Sequence, residues 1–496
     1  MNNLKVLLIN PPIRGHINAG LDNVKVPLGL AYIAAYIREK GFDNIKILDA
    51  KILGDTKKIS EEVWHFGMSY SDIEDYIKNY DPDIIGVHCA YTVYSQDALK
   101  IAEIIKKINK KIIVVFGGAH VCANPESVLN SGFVDISVIG EGEITFYEIL
   151  KKFQNKESLN NIRGIAIIKN KKIKINPLRP LIQNLDDIPF PARDLLDMQL
   201  YFNHPQNSIG TMRSPATDVI TSRGCPFNCV FCSIHTIWGK HWRGRSAKNV
   251  VDEIELLIKT YGIKQIRFQD DNISLDKKRM YKICDEIINR KLNIKWDTPN
   301  GIAIWTLNEE LLRKMKKSGY YRLAPSIESG SCETIKFINK PIDYEHVNKI
   351  LKLADKIGLW TVSPFIIGFP YETLADINKT INFAKKSRLD FAIFYIAQPY
   401  AGTKLYDIYK KEGLLKEGVK HSSSVIETRY NTKHFSAKQL DALRTRAYRE
   451  FYISRFIKYL NPINIYYLFK KIGNYKGLKH TIKMVKAVIG FGFHKK

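Results

Sequence analysis

The chain of 496 residues is 45% hydrophobic and 11% aromatic. That is enough for roughly two to four domains with buried cores, and it excludes a small binding module and a disordered protein. The 76 Lys and Arg against 50 Asp and Glu leave a formal charge of +26, which favours lipid headgroups, nucleic acid or phosphorylated substrates without choosing among them. Seven cysteines, unevenly placed, do not make a disulfide framework. No uncharged apolar run reaches the length of a membrane-spanning helix. The opening MNNLKVLLINPP reads as a strand rather than a signal peptide, so a cytoplasmic, reducing location is expected.

Strands are predicted over residues 4–10, 45–49, 84–89, 112–116 and 136–139, with helices over 28–40 and 99–110 between them. This alternation predicts an α/β domain over 1–155, a doubly wound, Rossmann-like parallel sheet. Several strands end in turn chemistry: Asn10-Pro11-Pro12, Gly117-Gly118 and Gly140-Glu141-Gly142. Strand ends are where such sheets bind ligands, although the same glycines serve simple tight turns. Residues 156–215 are polar and rich in proline and read as a linker with a small hairpin.

A second alternation occupies 216–410, with strands over 219–222, 265–269, 294–297, 323–327, 362–367 and 391–397. Helices are expected over 250–261, 278–290, 309–317, 344–357 and 377–386. Six such units suit a (β/α)6 partial TIM barrel with its chemistry at the carboxyl ends of the strands. Residues 411–496 read as a helical, basic C-terminal extension. From 451 onward it holds ten Lys or Arg, no Asp or Glu, and interleaved aromatics. Such a segment suits either peripheral contact with an anionic membrane or a solvated helical cap.

The chemistry concentrates in Gly224-Cys225-Pro226-Phe227-Asn228-Cys229-Val230-Phe231-Cys232. Three thiolates on one loop can hold three irons of a [4Fe-4S] cluster, and the missing fourth cysteine leaves one iron open to an exogenous ligand. A zinc site completed by His235 or His241 is the structural alternative. Cys89, Cys122, Cys284 and Cys332 are isolated and read as packing residues.

This CxxxCxxC, with Phe231 before the last cysteine, resembles the motif of the radical S-adenosylmethionine enzymes. Further stretches resemble the same family in order: Phe268-Gln269-Asp270-Asp271-Asn272, Ile327-Glu328-Ser329-Gly330, Ile367-Gly368-Phe369-Pro370-Tyr371-Glu372-Thr373 and Pro399-Tyr400-Ala401-Gly402-Thr403. The resemblance implies that Cys225, Cys229 and Cys232 bind the cluster and that S-adenosylmethionine chelates its open iron. It implies a 5′-deoxyadenosyl radical, and it places Phe231, Asp270 and Glu328 beside the cofactor, with Glu328 a candidate for the ribose hydroxyls. The first domain resembles the cobalamin-binding domain found ahead of this barrel in one branch of the family. The matching stretches include Val6 to Pro12, Pro27-Leu28-Gly29, Asp83 to Val87, Gly117-Gly118 and Gly140-Glu141-Gly142. By that resemblance Pro27, Gly29, Gly117, Gly118, Gly140, Glu141 and Gly142 are candidate cobalamin contacts. The DxHxxG motif that supplies an axial histidine in many cobalamin proteins is absent, so His16, His88 and His120 are not assigned to cobalt. The two resemblances cover about residues 4–410.

The resemblance implies an enzyme, foremost a cobalamin-dependent methyltransferase acting on an unactivated carbon. An oxidative cyclase, rearrangement or coupling enzyme with the same domains is the sibling reading. A zinc- or cluster-stabilised binding protein is the reading from another class. RNA-modifying relatives carry a second cysteine cluster and a terminal β-barrel that this chain lacks, so nucleic acid is not the expected partner. A small-molecule or lipid-like substrate and a reducing electron donor protein are.

Overall fold

The structure, a computed structural model, describes residues 4–15, 24–61, 63–204, 211–415 and 428–473, with isolated positions 478, 481–482 and 485. The chain divides into two compact units, one of residues 1–203 with 233–239, the other of 204–232 with 240–496.

In the first unit the parallel strands are β1 (Val6–Asn10), β2 (Ile45–Asp49), β3 (Ile84–His88), β4 (Ile113–Gly117) and β5 (Ile136–Val138). An antiparallel hairpin follows, β6 (Ile165–Lys169) and β7 (Lys172–Ile175), and the order across the sheet is β7-β6-β5-β4-β3-β1-β2. Alternate residues of β1 feed two cores. Leu7 and Ile9 pack with Ile73, Ile77, Ile101 and Ile105, and Val6 and Leu8 pack with Ala31, Ala34, Phe146 and Ile149. Apolar side chains on both faces explain why such strands read as unbroken hydrophobic runs. The chain passes from β1 to β2 on one side and returns to β3 on the other, so the sheet's topological switch lies between the ends of β1 and β3, at Asn10 and His88.

Residues 156–203 are not a linker. The hairpin completes the first sheet through β5, and Met198, Tyr201 and Phe202 of the helix Met198–Asn203 are buried. The Tyr201 hydroxyl donates to Asp49 Oδ2 at 2.5 Å, and Arg38 pairs with Asp194 at 2.6 Å. Proline density marked irregular backbone here, but irregular backbone can still be packed.

The second unit holds six parallel strands in consecutive order: β8 (Ala216–Val219), β9 (Gln265–Phe268), β10 (Lys295–Asp297), β11 (Tyr320–Leu323), β12 (Trp360–Ile367) and β13 (Phe391–Ile396). β8 and β13 are not paired, so the barrel is partial. Two strands lie about three residues earlier than hydrophobicity predicts. β8 includes Thr217 and Asp218, both fully buried, because Asp218 is satisfied by Arg267 at 2.9 Å and by Gln269 at 2.6 Å. β11 stops at Leu323, after which Pro325 has no N–H to donate and Glu328 takes φ +68°.

The C-terminal segment is helical, but its first part belongs to the barrel rather than extending from it. The helix Ala437–Lys458 lays Leu440, Ala447, Tyr448 and Phe451 into the interior, with the Tyr448 ring edge-on to Phe394 at 5.3 Å. The helix Pro462–Ile472 follows. No helix among the described residues is long and apolar enough to cross a membrane.

Candidate functional site

The cysteine loop leaves the carboxyl end of β8 and is tied down at its base. Asp270, fully buried after β9, accepts from Thr221 N at 2.9 Å and Thr221 Oγ1 at 2.6 Å, and also from the Ser222 hydroxyl. Asp271 Oδ2 accepts from Gly224 N at 3.0 Å. Both carboxylate oxygens of Asp270 therefore point into the protein, which makes Asp270 an anchor of the loop rather than the cofactor contact expected of it. Farther along, Val230 N donates to Ile338 O at 3.1 Å and Leu405 N to Val230 O at 2.9 Å. Phe231 packs on Phe369 at 6.2 Å, and Phe227 meets Trp305 edge-on at 5.0 Å.

Cys225, Cys229 and Cys232 are each partly exposed on this loop. Burial pushes the Cys225 and Cys229 thiols up, while the Lys340 ammonium pulls both toward thiolate. Lys340 Nζ donates to Glu328 Oε1 at 2.6 Å, with only 6% and 8% of the two side chains exposed, and it lies 5.7 Å from the Trp305 ring. Glu328 adopts φ +68°, a conformation costly for a residue with a Cβ. It is held there by Glu328 N donating to Pro364 O and by Ile366 N donating to its carbonyl at 2.8 Å. A buried ion pair whose charges reach the Cys225 and Cys229 thiols can meet a ligand carrying both charges. Lys340 was not legible as a site residue, since an isolated lysine in a polar run carries no pattern. Among the described residues no three His, Cys, Asp or Glu side chains converge on a single ion position, and the His235 ring is bonded to Gly239 O at 2.9 Å. The donor set fits a cluster gripped at separate corners better than a tetrahedral zinc.

In the first unit two strand ends, the second turning at Gly140 with φ +89°, and the start of the helix Leu28–Glu39 leave a shallow, bare cradle. A Cβ added at Gly29 meets nothing within 4 Å, and at Gly117 or Gly140 the nearest atom would be 3.9 Å away. Bare backbone with open space in front is what a bulky ligand such as a corrin requires. Gly118 has φ +116° and ψ 176°, and a Cβ there would lie 2.7 Å from Cys89 O, so it serves the turn itself. Pro27 precedes the helix Leu28–Glu39 as its N-cap. Two expected contacts have other duties. Glu141 is buried and accepts from Ile182 N at 2.7 Å, and Gly142 lets the helix Gly142–Gln154 approach Ile33, whose Cδ1 would be 2.8 Å from a Cβ.

At the switch point Asn10 Nδ2 donates to Asp49 Oδ1 at 2.7 Å, and the His88 ring nitrogen Nδ1 lies 3.4 Å from Asn10 Oδ1. Burial pushes His88 down to about 4 and Lys51 down to about 8. Both ring nitrogens of His120 are engaged, by Thr92 and Ser127 at 3.1 Å each. His16 lies outside the described residues. Cys89 and Cys284 are buried and Cys122 Sγ accepts from Gly140 N at 3.2 Å, whereas Cys332 is exposed and does not pack.

Residues 219–384 match the radical SAM superfamily, and residues 17–150 match the B12 binding domain. An uncharacterized methyltransferase of Pyrococcus horikoshii is 38% identical over 91% of this chain and 93% of its own length. The chain belongs to the cobalamin-binding radical SAM methyltransferase family. Cytidylyl-2-hydroxyethylphosphonate methyltransferase of Streptomyces wedmorensis is 30% identical over 81% of the chain and 80% of its own length. Anaerobic magnesium-protoporphyrin IX monomethyl ester cyclases also match, that of Rubrivivax gelatinosus at 26% identity. Two solved structures share the fold. The methyltransferase TsrM of Kitasatospora setae, with cobalamin and a [4Fe-4S] cluster bound, has TM-score 0.65 at 16% identity, covering 84% of this chain and 76% of its own. OxsB with aqua-cobalamin bound has TM-score 0.69 at 18% identity, covering 97% and 72%. A [4Fe-4S] cluster, S-adenosylmethionine and cobalamin are the cofactors of this family member.

Proposed function

We propose that the chain methylates an unactivated carbon of a small-molecule or lipid-like substrate, drawing electrons from a reducing donor protein. The observation that carries the reading is the set of three thiols on one anchored loop, beside a buried Lys340–Glu328 pair. When bound, the cluster supplies the electron that cleaves S-adenosylmethionine, and cobalamin supplies the methyl group.

Cys225, Cys229 and Cys232 hold the cluster, and Phe231 fixes the last turn of their loop against Phe369. Lys340 presents a cation to the carboxylate of S-adenosylmethionine, and Glu328 an acceptor to its ribose hydroxyls or amino group. Asp270 acts through Thr221 and Ser222 by holding the base of the loop. Gly29, Gly117 and Gly140 leave the room a corrin needs. The C-terminal helices bring the enzyme to the edge of a membrane. The test is anaerobic reconstitution with iron, sulfide and cobalamin, then incubation with methyl-labelled S-adenosylmethionine and cell extract. Label in a product together with 5′-deoxyadenosine supports methylation. Deoxyadenosine with an unlabelled product assigns the cyclase or coupling chemistry instead.

A further inference from the structure

The two C-terminal helices are fastened to the barrel along one side only. From the first, Arg455 donates to the carbonyls of Ser387 at 2.9 Å and Leu389 at 2.5 Å, and Tyr448 OH accepts from Phe394 N at 3.0 Å. From the second, the Lys471 ammonium lies between Asp390 at 2.7 Å and Asp355 at 2.5 Å, and Tyr459 between the helices donates to Asp390 at 2.8 Å. These anchors set which side of each helix faces outward.

Half a helical turn from the buried positions stand Ile453, Phe456 and Ile457 on the first helix and Ile463, Tyr466 and Phe469 on the second. All six are between 52% and 72% exposed. Spacings of three and four residues align each trio in a stripe. Scattered exposed apolar residues need no explanation, but six large ones within seventeen positions mark an interaction surface. Residues 451–496 hold ten Lys or Arg and no Asp or Glu; among the described residues Arg455 and Lys471 are buried, while Arg449 and Lys470 are exposed beside the stripes. A second copy placed against this face would bring Arg449 and Lys470 against the same cations of the copy, and like charges oppose that contact. Neither helix can span a bilayer, so the fitting geometry is a helix pair lying flat in the headgroup layer.

We infer that this face docks on an anionic lipid surface, with the apolar stripes entering the headgroup boundary and the basic residues lying over the headgroups. The inference gives a face and an orientation to the membrane-edge reading above, and rests on that reading only for the biological reason to dock. The experiment uses the full chain, purified anaerobically, in flotation with vesicles of phosphatidylcholine alone or with about one third phosphatidylglycerol. The bound fraction should be at least about tenfold higher on the anionic vesicles and should fall as salt is raised to about 0.5 M. The triple variant Phe456→Ser, Ile463→Ser, Phe469→Ser should lose at least about tenfold of that binding. It should keep the wild-type Tm and the wild-type yield of 5′-deoxyadenosine with a soluble reductant, because the three side chains support neither core nor site. Anionic-vesicle binding unchanged in the triple variant overturns the inference. So does self-association that the triple variant abolishes while vesicle binding stays absent, which would assign the face to a second copy. Loss of deoxyadenosine formation in the wild type would instead break the radical-enzyme reading and leave the docking result standing.

Discussion

The first sheet is apolar on both faces, while the second carries a charged ladder across its inner face. Asp218, Arg267, Asp297 and Arg322 occupy directly paired positions on β8, β9, β10 and β11. Asp218 pairs with Arg267 at 2.9 Å, Asp297 pairs with Arg322, and both carboxylates are buried. The strand ends differ in the same sense. Those of the first unit offer bare backbone at Gly117 and Gly140, and those of the second offer thiols and the Lys340–Glu328 pair. A bulky prosthetic group that brings its own reactive centre needs room and shape. A cofactor assembled from a cluster and a zwitterion needs donors and paired charges, and a partial barrel can seat those charges because its inner face is not filled by hydrocarbon.

The sharpest way to break this comparison is at the thiols. Cys229→Ala should abolish bound cluster and deoxyadenosine formation, read by iron content and mass analysis, while cobalamin binding to the first unit persists. Next comes the ladder. Arg322→Met alone leaves Asp297 buried without its partner, and should cost about 3–5 kcal/mol in denaturant unfolding of the second unit. Pairing it with Asp297→Leu should recover most of that loss, because a buried ion pair is about neutral against well-packed apolar replacements.

A pH test separates the units further. Burial raises Glu372 to about 7 from its ordinary 4.5, against the pull of Gly368 N, which donates to it at 2.6 Å, and of the Thr334 hydroxyl. The folded state holds this proton more tightly than the unfolded chain. The contribution is therefore full below pH 4.5 and lost as the pH rises to about 7, a change of about 3 kcal/mol. Glu372→Gln should flatten that fall in second-unit stability between pH 5 and 8 and leave the first unit unchanged. The smallest effects concern the cradle. Gly118→Ala should cost the first unit about 1–3 kcal/mol through its left-handed backbone. Gly29→Ala, a change to the better helix former, should not lower stability, yet should weaken cobalamin binding at least about fivefold, measured by titration of the corrin absorbance.

The cysteine spacing and the alternation of apolar runs were legible because each is a local pattern. Helix Glu309–Lys317 lies where its periodicity places it. The residues around the thiols were not legible. Lys340 follows a left-handed Asn339 that caps the helix Cys332–Ile338 and turns it toward Glu328. Asp270, expected at the cofactor, is turned into the loop base by the hydroxyls of Thr221 and Ser222. Glu141 is drawn to the Ile182 amide in a segment that composition marks as a linker.

By itself, then, the sequence determined the two α/β units, the three-thiol loop and the family, since strand period, cysteine spacing and glycine-ended strands are written over a few consecutive residues. Tertiary structure alone decided which acidic residue pairs with Lys340 and which hold the frame. It also decided that 156–203 complete a sheet and that the last two helices bury one side and expose the other. Those outcomes depend on hydrogen bonds and ion pairs between residues tens to more than a hundred positions apart, such as Tyr201 to Asp49 and Lys471 to Asp355, and no local pattern encodes a partner so distant.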